Sequence, residues 1–428
     1  MDSRVALLIS PYFPPSNVAG VQRTRVLATG LPDFGWEPIV VCVNPTFYEE
    51  ALDEQSLALI PKTLRLERVS AWPASICRPL GFGDVSLRAQ STMRQKTAEL
   101  VQKEKIDLVF ATVLPGYASL VGAWVKRKFG LPFVLDYQDP WVSNSGAKQS
   151  LFSKRGIANR LAKKLEPDVV AAADALTAVS DETLNSLRDR RLLRKKLPVE
   201  IIPIGADEND VAVAARKGNS LITRQPGECV LAYLGTITGR MLPAVKALFR
   251  AMKKASESHN RTRARLYFVG ASGQPDGEDV HNLTDLARKY EISDRFMLHP
   301  RRIGYLDALC TMRDADALLL IGSTDSHYTA SKLFPCWLSE RPIVALFHAR
   351  STVIDIAREL GGIRVITYDD SNGPEAVLDD VTAALSELVQ YGVTAVPQRN
   401  KSAFEAYSAQ AIARHYAALF DRVVEMTK

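Results

Sequence analysis

Three short stretches carry residue types from which a phosphate or hydroxyl site can be built. In VLDYQDPW, Asp136, Gln138 and Asp139 stand at the end of an apolar, strand-like run. Asp139 could accept a hydrogen bond from a hydroxyl or act as a base. It could equally open a turn before Pro140. In YLGTITGR, Gly235 and Gly239 bracket a short polar loop ahead of a helical pattern. Backbone N–H groups in such a loop can face phosphate. In TDSHYTASKLFPCW, Ser331 can cap a helix that starts near Lys332. The first N–H groups of that helix would favour an anion, and Lys332 would add a point charge.

A fourth stretch, PYFPPSNVAG, follows the first apolar run. Its prolines stiffen the loop, and Gly20 would let backbone approach a ligand closely. Arg23 and Arg25 follow on the next helical segment. They would add charge behind an anion, or simply lie on a solvated helix face behind a stiff turn. A GxGxxG fingerprint is absent, which disfavours a nicotinamide dehydrogenase. Asp314-Ala315-Asp316 mimics a metal-binding DxD. It precedes an apolar run, so it falls at the amino end of a strand, away from where ligands bind. Asp168 and Asp174 fail as a pair in the same way. No cluster has metal-ligand spacing, so no metal and no cofactor are expected. The cysteines at 42, 77, 229, 310 and 336 stand singly, which supports buried thiols over zinc or disulfides.

These stretches need a scaffold that brings loops to one edge. Apolar runs at Val5–Ile9, Pro38–Val43, Leu108–Thr112, Pro132–Tyr137, Ala175–Val179 and Glu200–Pro203 alternate with amphipathic segments such as 21–30, 91–104 and 114–129. The pattern predicts a parallel sheet covered on both faces. It restarts at Cys229–Leu234 and continues through Arg265–Val269, Phe296–Leu298, Ala317–Ile321 and Ile343–Leu346. Two α/β domains are therefore expected, 1–204 and 205–428, with the boundary in the polar stretch 205–225. Residues 402–426 have helical spacing and predict one long closing helix that packs back towards the first domain.

The chain has 428 residues, too many for one ordinary core. Apolar residues make up 46 % and charged residues 24 %, as in soluble globular proteins. No run of about 18 apolar residues predicts a spanning helix. The start lacks the pattern of a signal peptide, so a cytoplasmic protein is expected. The net charge of +6 permits anionic ligands or membrane surfaces. The basic residues form no dense tract, so no nucleic-acid partner is expected. Residues 147–165 contain Lys148, Lys154, Arg155, Arg160, Lys163 and Lys164 beside Ile157, Leu161 and Leu165. This basic amphipathic segment could lie on the inner face of a membrane, or pack on its own domain with a solvated basic face.

The order and spacing of several motifs resemble those of retaining GT-B glycosyltransferases of the family-4-like group. The resemblance runs through ISPYFPPSNVAGVQRTRVLATGLPDFGWEPIVV, DLVFATVLPGYASLVGAWVKRKFGLPFVLDYQDPW, ADALTAVSDET, VEIIPIGAD, LAYLGTITGR and ASKLFPCWLSERPIVAL. It implies two Rossmann-like domains facing across a cleft, with the acceptor on the first and a nucleotide-diphospho-sugar donor mainly on the second. It implies a metal-independent transfer of sugar to a glycan or lipid-linked acceptor, as in surface polysaccharide assembly. Arg240 and Lys332 would stabilise the diphosphate, with Gly20, Gly235, Gly239 and Ser331 as donor contacts. Lys246 has spacing suited to the family's second cation but sits in the solvent-facing pattern of AVKALFRAM. Asp139, Asp136 and His327 would meet the sugars. The sequence departs from the family where Gln138 replaces an arginine, and where His327 and Pro335 stand at the two glutamate positions. Those departures motivate a second reading, a binding or scaffolding protein that has lost catalysis. A sugar-nucleotide epimerase on the same fold is a third.

Overall fold

In the computed structural model, residues 3–79, 81–113, 116–142, 154–257, 263–272, 278–324, 331–391 and 397–428 are described. The first sheet contains β1 (Arg4–Ile9), β2 (Trp36–Val43), β3 (Arg65–Val69), β4 (Leu108–Thr112), β5 (Phe133–Tyr137), β6 (Ala175–Ala178) and β7 (Val199–Ile201). The order is β3-β2-β1-β4-β5-β6-β7, and every pairing is parallel. The second contains β8 (Glu228–Leu234), β9 (Arg263–Val269), β10 (Phe296–His299), β11 (Ala317–Ile321), β12 (Ile343–His348) and β13 (Ile363–Tyr368). Its order is β10-β9-β8-β11-β12-β13, again all parallel. The direction of winding reverses between β1 and β4 and between β8 and β11. Loops diverge there at the carboxyl ends, which is where ligands bind in such sheets.

The central strands are short continuous apolar runs because helices cover both faces. All five residues of β4, β5 and β11 are buried. Two strands escaped the expected pattern, and both are edges. β3 reads RLERV with only Val69 buried, so its charges obscure the strand. β13 reads IRVITY, with only half its residues buried. Edge strands need one apolar face at most, which weakens the signal.

Two compact units form: Met1–Gly205 with Ala409–Lys428, and Ala206–Ser408. The expected single helix over 402–426 is instead two, Lys401–Glu405 and Ala409–Thr427. Tyr407 breaks it. Its ring stacks on Phe334 at 4.9 Å, and its carbonyl accepts the Ala206 N–H at 3.1 Å. A carbonyl turned to Ala206 cannot extend the helix. The Ala409–Thr427 helix then buries Tyr416 and Phe420 against the first sheet. Phe110 lies 5.6 Å from Tyr416, and Trp36 lies 5.4 Å from Phe420, both edge-on.

A buried polar cluster ties this helix to the sheet. Asp136, at 0 % exposure on β5, receives Arg23 Nη2 at 3.0 Å, Thr177 Oγ1 at 2.7 Å and the Tyr416 hydroxyl at 2.8 Å. Arg23 also donates to the Pro203 carbonyl at 2.7 Å and stacks 5.0 Å from the Tyr416 ring centre. This corrects two expectations. Asp136 is an interior anchor that no sugar can touch. Arg23 and Arg25 are buried in the Val21–Gly30 helix, neither facing phosphate nor solvated.

Asp136→Ala would strand the Arg23 charge in the core and should cost about 3–5 kcal/mol. Tyr416→Phe should cost about 1 kcal/mol. Urea unfolding of the two variants measures both. An Asp136→Ala loss no larger than that of Tyr416→Phe would refute the anchor.

Candidate functional site

The second unit presents a cation at the carboxyl ends of β8 and β11. After Leu234 the chain turns out of the sheet at Gly235, whose φ of +139° favours glycine. Its N–H still reaches the Val269 carbonyl at 2.7 Å, and Ile237, wholly buried, donates to Ala271 at 2.9 Å. The loop is therefore stitched to the end of β9. Gly239 begins a single turn through Met241, and the helix Leu242–Glu257 follows. A Cβ on Gly239 would meet nothing within 4 Å. The Arg240 carbonyl accepts the Thr324 N–H at 3.0 Å, joining this loop to the one after β11. Tyr368, at the end of β13, donates to the neighbouring Ser323 carbonyl at 2.9 Å.

Lys332 lies over this platform. Its Nζ is 5.1 Å from the centre of the Tyr233 ring. A Cβ on Gly235 would stand 1.5 Å from that Nζ, so only glycine admits the amine here. Desolvation pushes the amine down to about 8; the Cys336 thiol one turn on opposes the shift and the Arg302 cation adds to it. The side chain as a whole is half-buried, whereas its amine end is enclosed, so its desolvation follows from the amine and not from the stem. Among the described residues no carboxylate pairs with Lys332.

The structure brings Gly235, Arg240 and Lys332 into one neighbourhood through the loops they occupy. Ser331 departs from expectation. It is exposed, and the Leu333–Leu338 helix is capped by Lys332 in helical conformation with no side-chain hydrogen bond. That helix has six residues, too few for a useful dipole, so the ammonium itself carries the positive charge. Pro335 sits inside it, half-buried. Lys246 is exposed on its helix. His327 lies outside the described residues. Sequence reasoning missed Tyr233, Thr324 and Arg302. An aromatic residue directly before the Leu-Gly pair was the available signal for the first, and nothing in the chain marked the other two.

In the first unit, Gly20 is buried at the start of the Val21–Gly30 helix. Its carbonyl accepts from Gln138 Nε2 at 3.3 Å, and the same nitrogen donates to Thr112 Oγ1 at 2.8 Å. Gln138 thus ties the opening loop to β4 and β5. Asp139, next in sequence, is exposed by area, yet desolvation raises its carboxyl above the usual range. An open face with protein close on its other sides satisfies both observations, and such a group suits a hydroxyl or a proton. Asp316 of the DxD-like triplet pairs with Arg224 at 2.8 Å and accepts the Val230 N–H at 2.7 Å, both at the amino end of β11. Asp174 is likewise taken by Lys126 at 2.8 Å. Among the described residues, no group of three or more His, Cys, Asp or Glu could hold a metal ion.

Gly235→Ala would strain the backbone by about 1–3 kcal/mol and force the Lys332 amine aside. The variant should stay folded with a lowered Tm, and should lose about tenfold or more in affinity for pyrophosphate, an anionic probe of the Lys332 amine. Calorimetric titration measures this, and unchanged affinity would remove Lys332 from the site.

Residues 19–205 match the family described as Glycosyl transferase 4-like domain. No curated protein matches the chain. Solved structures do. The N-terminal domain of Candida albicans trehalose-6-phosphate phosphatase is 12 % identical, with a TM-score of 0.63 over 99 % of this chain and 97 % of that one. Anabaena HepE, solved with UDP and glucose, is 14 % identical, with a TM-score of 0.61 over 98 % and 100 %. The UDP-forming trehalose-phosphate synthase of Burkholderia xenovorans is 12 % identical, with a TM-score of 0.62 over 98 % and 99 %. At these identities the likeness shows the fold alone, two parallel-sheet α/β domains as in GT-B glycosyltransferases.

Proposed function

We propose that this chain is a glycosyltransferase that moves a sugar from a nucleotide-diphosphate donor to a glycan or lipid-linked acceptor. The observation that carries the proposal is the desolvated Lys332 amine over Gly235, without a carboxylate partner among the described residues, at the ligand-binding edge of the second sheet. A desolvated cation with no counter-ion is a seat for an anion. The family match over 19–205 supports transfer chemistry. HepE and the Burkholderia enzyme, whose descriptions include UDP, make uridine the first base to try.

In this reading the bond between the sugar's anomeric carbon and the diphosphate breaks as the acceptor oxygen bonds to that carbon. Lys332 and Arg240 stabilise the charge that grows on the departing diphosphate, in place of a metal. Asp139 accepts a hydrogen bond from a sugar or acceptor hydroxyl. Retention of configuration, metal independence and a place in surface polysaccharide assembly belong to the proposal through the resemblance.

A second reading is a binding protein on the same fold. Pro335 favours it, because a proline stands where relatives place the glutamate that holds the ribose. The two readings separate in one experiment. The purified protein is screened by thermal shift against nucleoside diphosphates and their sugars, with and without magnesium, and then assayed for donor consumption. A ligand that binds only the folded state raises Tm by mass action. A metal-independent shift followed by donor turnover, lost in Arg240→Ala, supports the transferase. A shift without turnover supports the binding protein, and no shift removes both.

Lys332 also sets a pH dependence. Its folded pKa of about 8 lies below the ordinary 10.5, so the free protein gains stability from pH 8 to 10.5, where the unfolded chain binds more protons. Anion binding restores the proton. Diphosphate affinity should therefore fall as pH rises through about 8, by at most about tenfold per unit. Lys332→Met should bind weakly at every pH. A wild-type affinity that stays flat between pH 7 and 9.5 would contradict this assignment.

A further inference from the structure

The turns after β4 and β5 meet through one indole. Asp139 and Pro140 are exposed at the carboxyl end of β5, and the chain then dips back to bury Val142. Trp141, between them, is held from two directions. A Cβ on Gly116 would stand 2.3 Å from its Nε1 and 2.4 Å from its Cδ1, so only glycine lets the ring lie there. The Tyr117 ring meets it edge-on at 5.4 Å. This turn is itself fixed. The Tyr117 carbonyl accepts Gln90 Nε2 at 2.7 Å, and the Gly116 carbonyl accepts Ser119 Oγ at 2.5 Å.

Trp141 packs against the first core yet is only half-buried, so a fixed ring keeps part of its surface open at the ligand end of the sheet. Two residues back stands a carboxylate without a partner. Among the described residues no hydrogen bond or ion pair holds Asp139, and desolvation alone raises its carboxyl. Pro140 stiffens the link between the two. An aromatic ring and an unused acceptor on one stiff tripeptide suit a pyranose, which offers an apolar C–H face and hydroxyls around its rim.

The surrounding charge selects further. Burial first and the Asp84 carboxylate second raise the Tyr117 hydroxyl. Burial, then Glu50 and Asp84, raise the Tyr12 hydroxyl on the loop after β1, against the opposing Arg88. Arg88 is already engaged by Glu49 and by the carbonyls of Trp72, Phe47 and Gly83. Glu50 accepts Ser16 Oγ and Asp84 caps the Val85–Arg88 helix, and neither has an ion pair among the described residues. With Asp139, these carboxylates make an edge that repels a phosphate or a uronic acid.

We infer that Trp141 is the stacking surface for the sugar ring of the acceptor, with Asp139 on one of its hydroxyls, and that this end of the acceptor is an uncharged glycan. That the bound ring receives the transferred sugar rests on the transferase reading; that a neutral ring binds at Trp141 does not.

The test is saturation-transfer NMR and tryptophan fluorescence of the full chain with maltose, cellobiose and lactose, and with glucose 6-phosphate and glucuronate. At least one neutral disaccharide should bind, about tenfold or more tighter than either anionic sugar, and should change the tryptophan emission. Trp141→Leu should weaken that binding about tenfold with wild-type circular dichroism. Trp141→Phe keeps an aromatic face, so it should retain most of the affinity and lose the emission change; this readout replaces Trp141→Leu if that variant does not fold. Asp139→Asn keeps an acceptor oxygen without the charge, and should narrow the gap between neutral and anionic sugars. The inference is overturned if no neutral sugar binds, if the anionic sugars bind as tightly, or if the Trp141 variants behave as wild type in both affinity and emission. Donor consumption by wild type, with the same sugars as acceptors, is read separately. Consumption with Trp141-independent binding keeps the transferase and removes the stacking surface. Trp141-dependent binding without consumption of any donor keeps the stacking surface and removes the transferase.

Discussion

A carboxylate carried into a protein interior needs donors on the spot, and Asp136 finds them for Oδ1 while its buried Oδ2 has none among the described residues. Three donors from three distant parts of the chain converge on one of its oxygens: Arg23 from the first helix, Thr177 from β6 and Tyr416 from the last helix. None of these partners is near another in sequence. The pairing therefore fixes at once how the first helix lies on the sheet, how β5 meets β6, and where the end of the chain returns. An apolar contact tolerates sliding, whereas a buried ion pair does not, because displacement leaves a charge without a partner. The loop from Pro11 to Gly20 inherits its position from this pairing, since it feeds directly into the helix that carries Arg23.

The second unit uses the opposite device. Lys332 is enclosed but unpaired among the described residues, and its amine titrates lower for that reason. Its neighbour there is the uncharged face of the Tyr233 ring, 5.1 Å away. Gly235 gives up its side chain and adopts a backbone conformation that other residues resist, and what it admits is the amine. Local cost without local gain in stability is characteristic of a binding position.

Pro335 marks the tension in this chain. It shares a six-residue helix with Leu333, Phe334 and Trp337, all buried, so the helix is anchored by its apolar face. Trp337 stacks on Phe404 at 4.6 Å and donates to the Gly361 carbonyl at 3.1 Å. The packing that sets Lys332 in place is thus complete without a glutamate at 335.

By itself the sequence determined the alternation of apolar runs and helices, hence two parallel sheets, and it placed Leu108–Thr112 and Ala317–Ile321 to the residue. Continuous burial makes such strands legible, because both faces require apolar side chains. It also determined that Gly235, Arg240 and Lys332 belong to loops at one edge, since parallel strands point their carboxyl ends the same way. It did not determine what each polar residue faces. Asp136 and Asp139 stand three positions apart in VLDYQDPW, and only the fold decides that the first is sealed inside and the second open. Arg23 and Arg25 read as charges behind an anion or on a solvated helix face, whereas in the fold both are buried. The break at Tyr407 depends on Phe334 and Ala206, which no local pattern connects to it. Periodicity reports which side of an element is apolar. The partner of a buried charge is set by contacts hundreds of residues apart, as between Asp136 and Tyr416, and only tertiary structure supplies them.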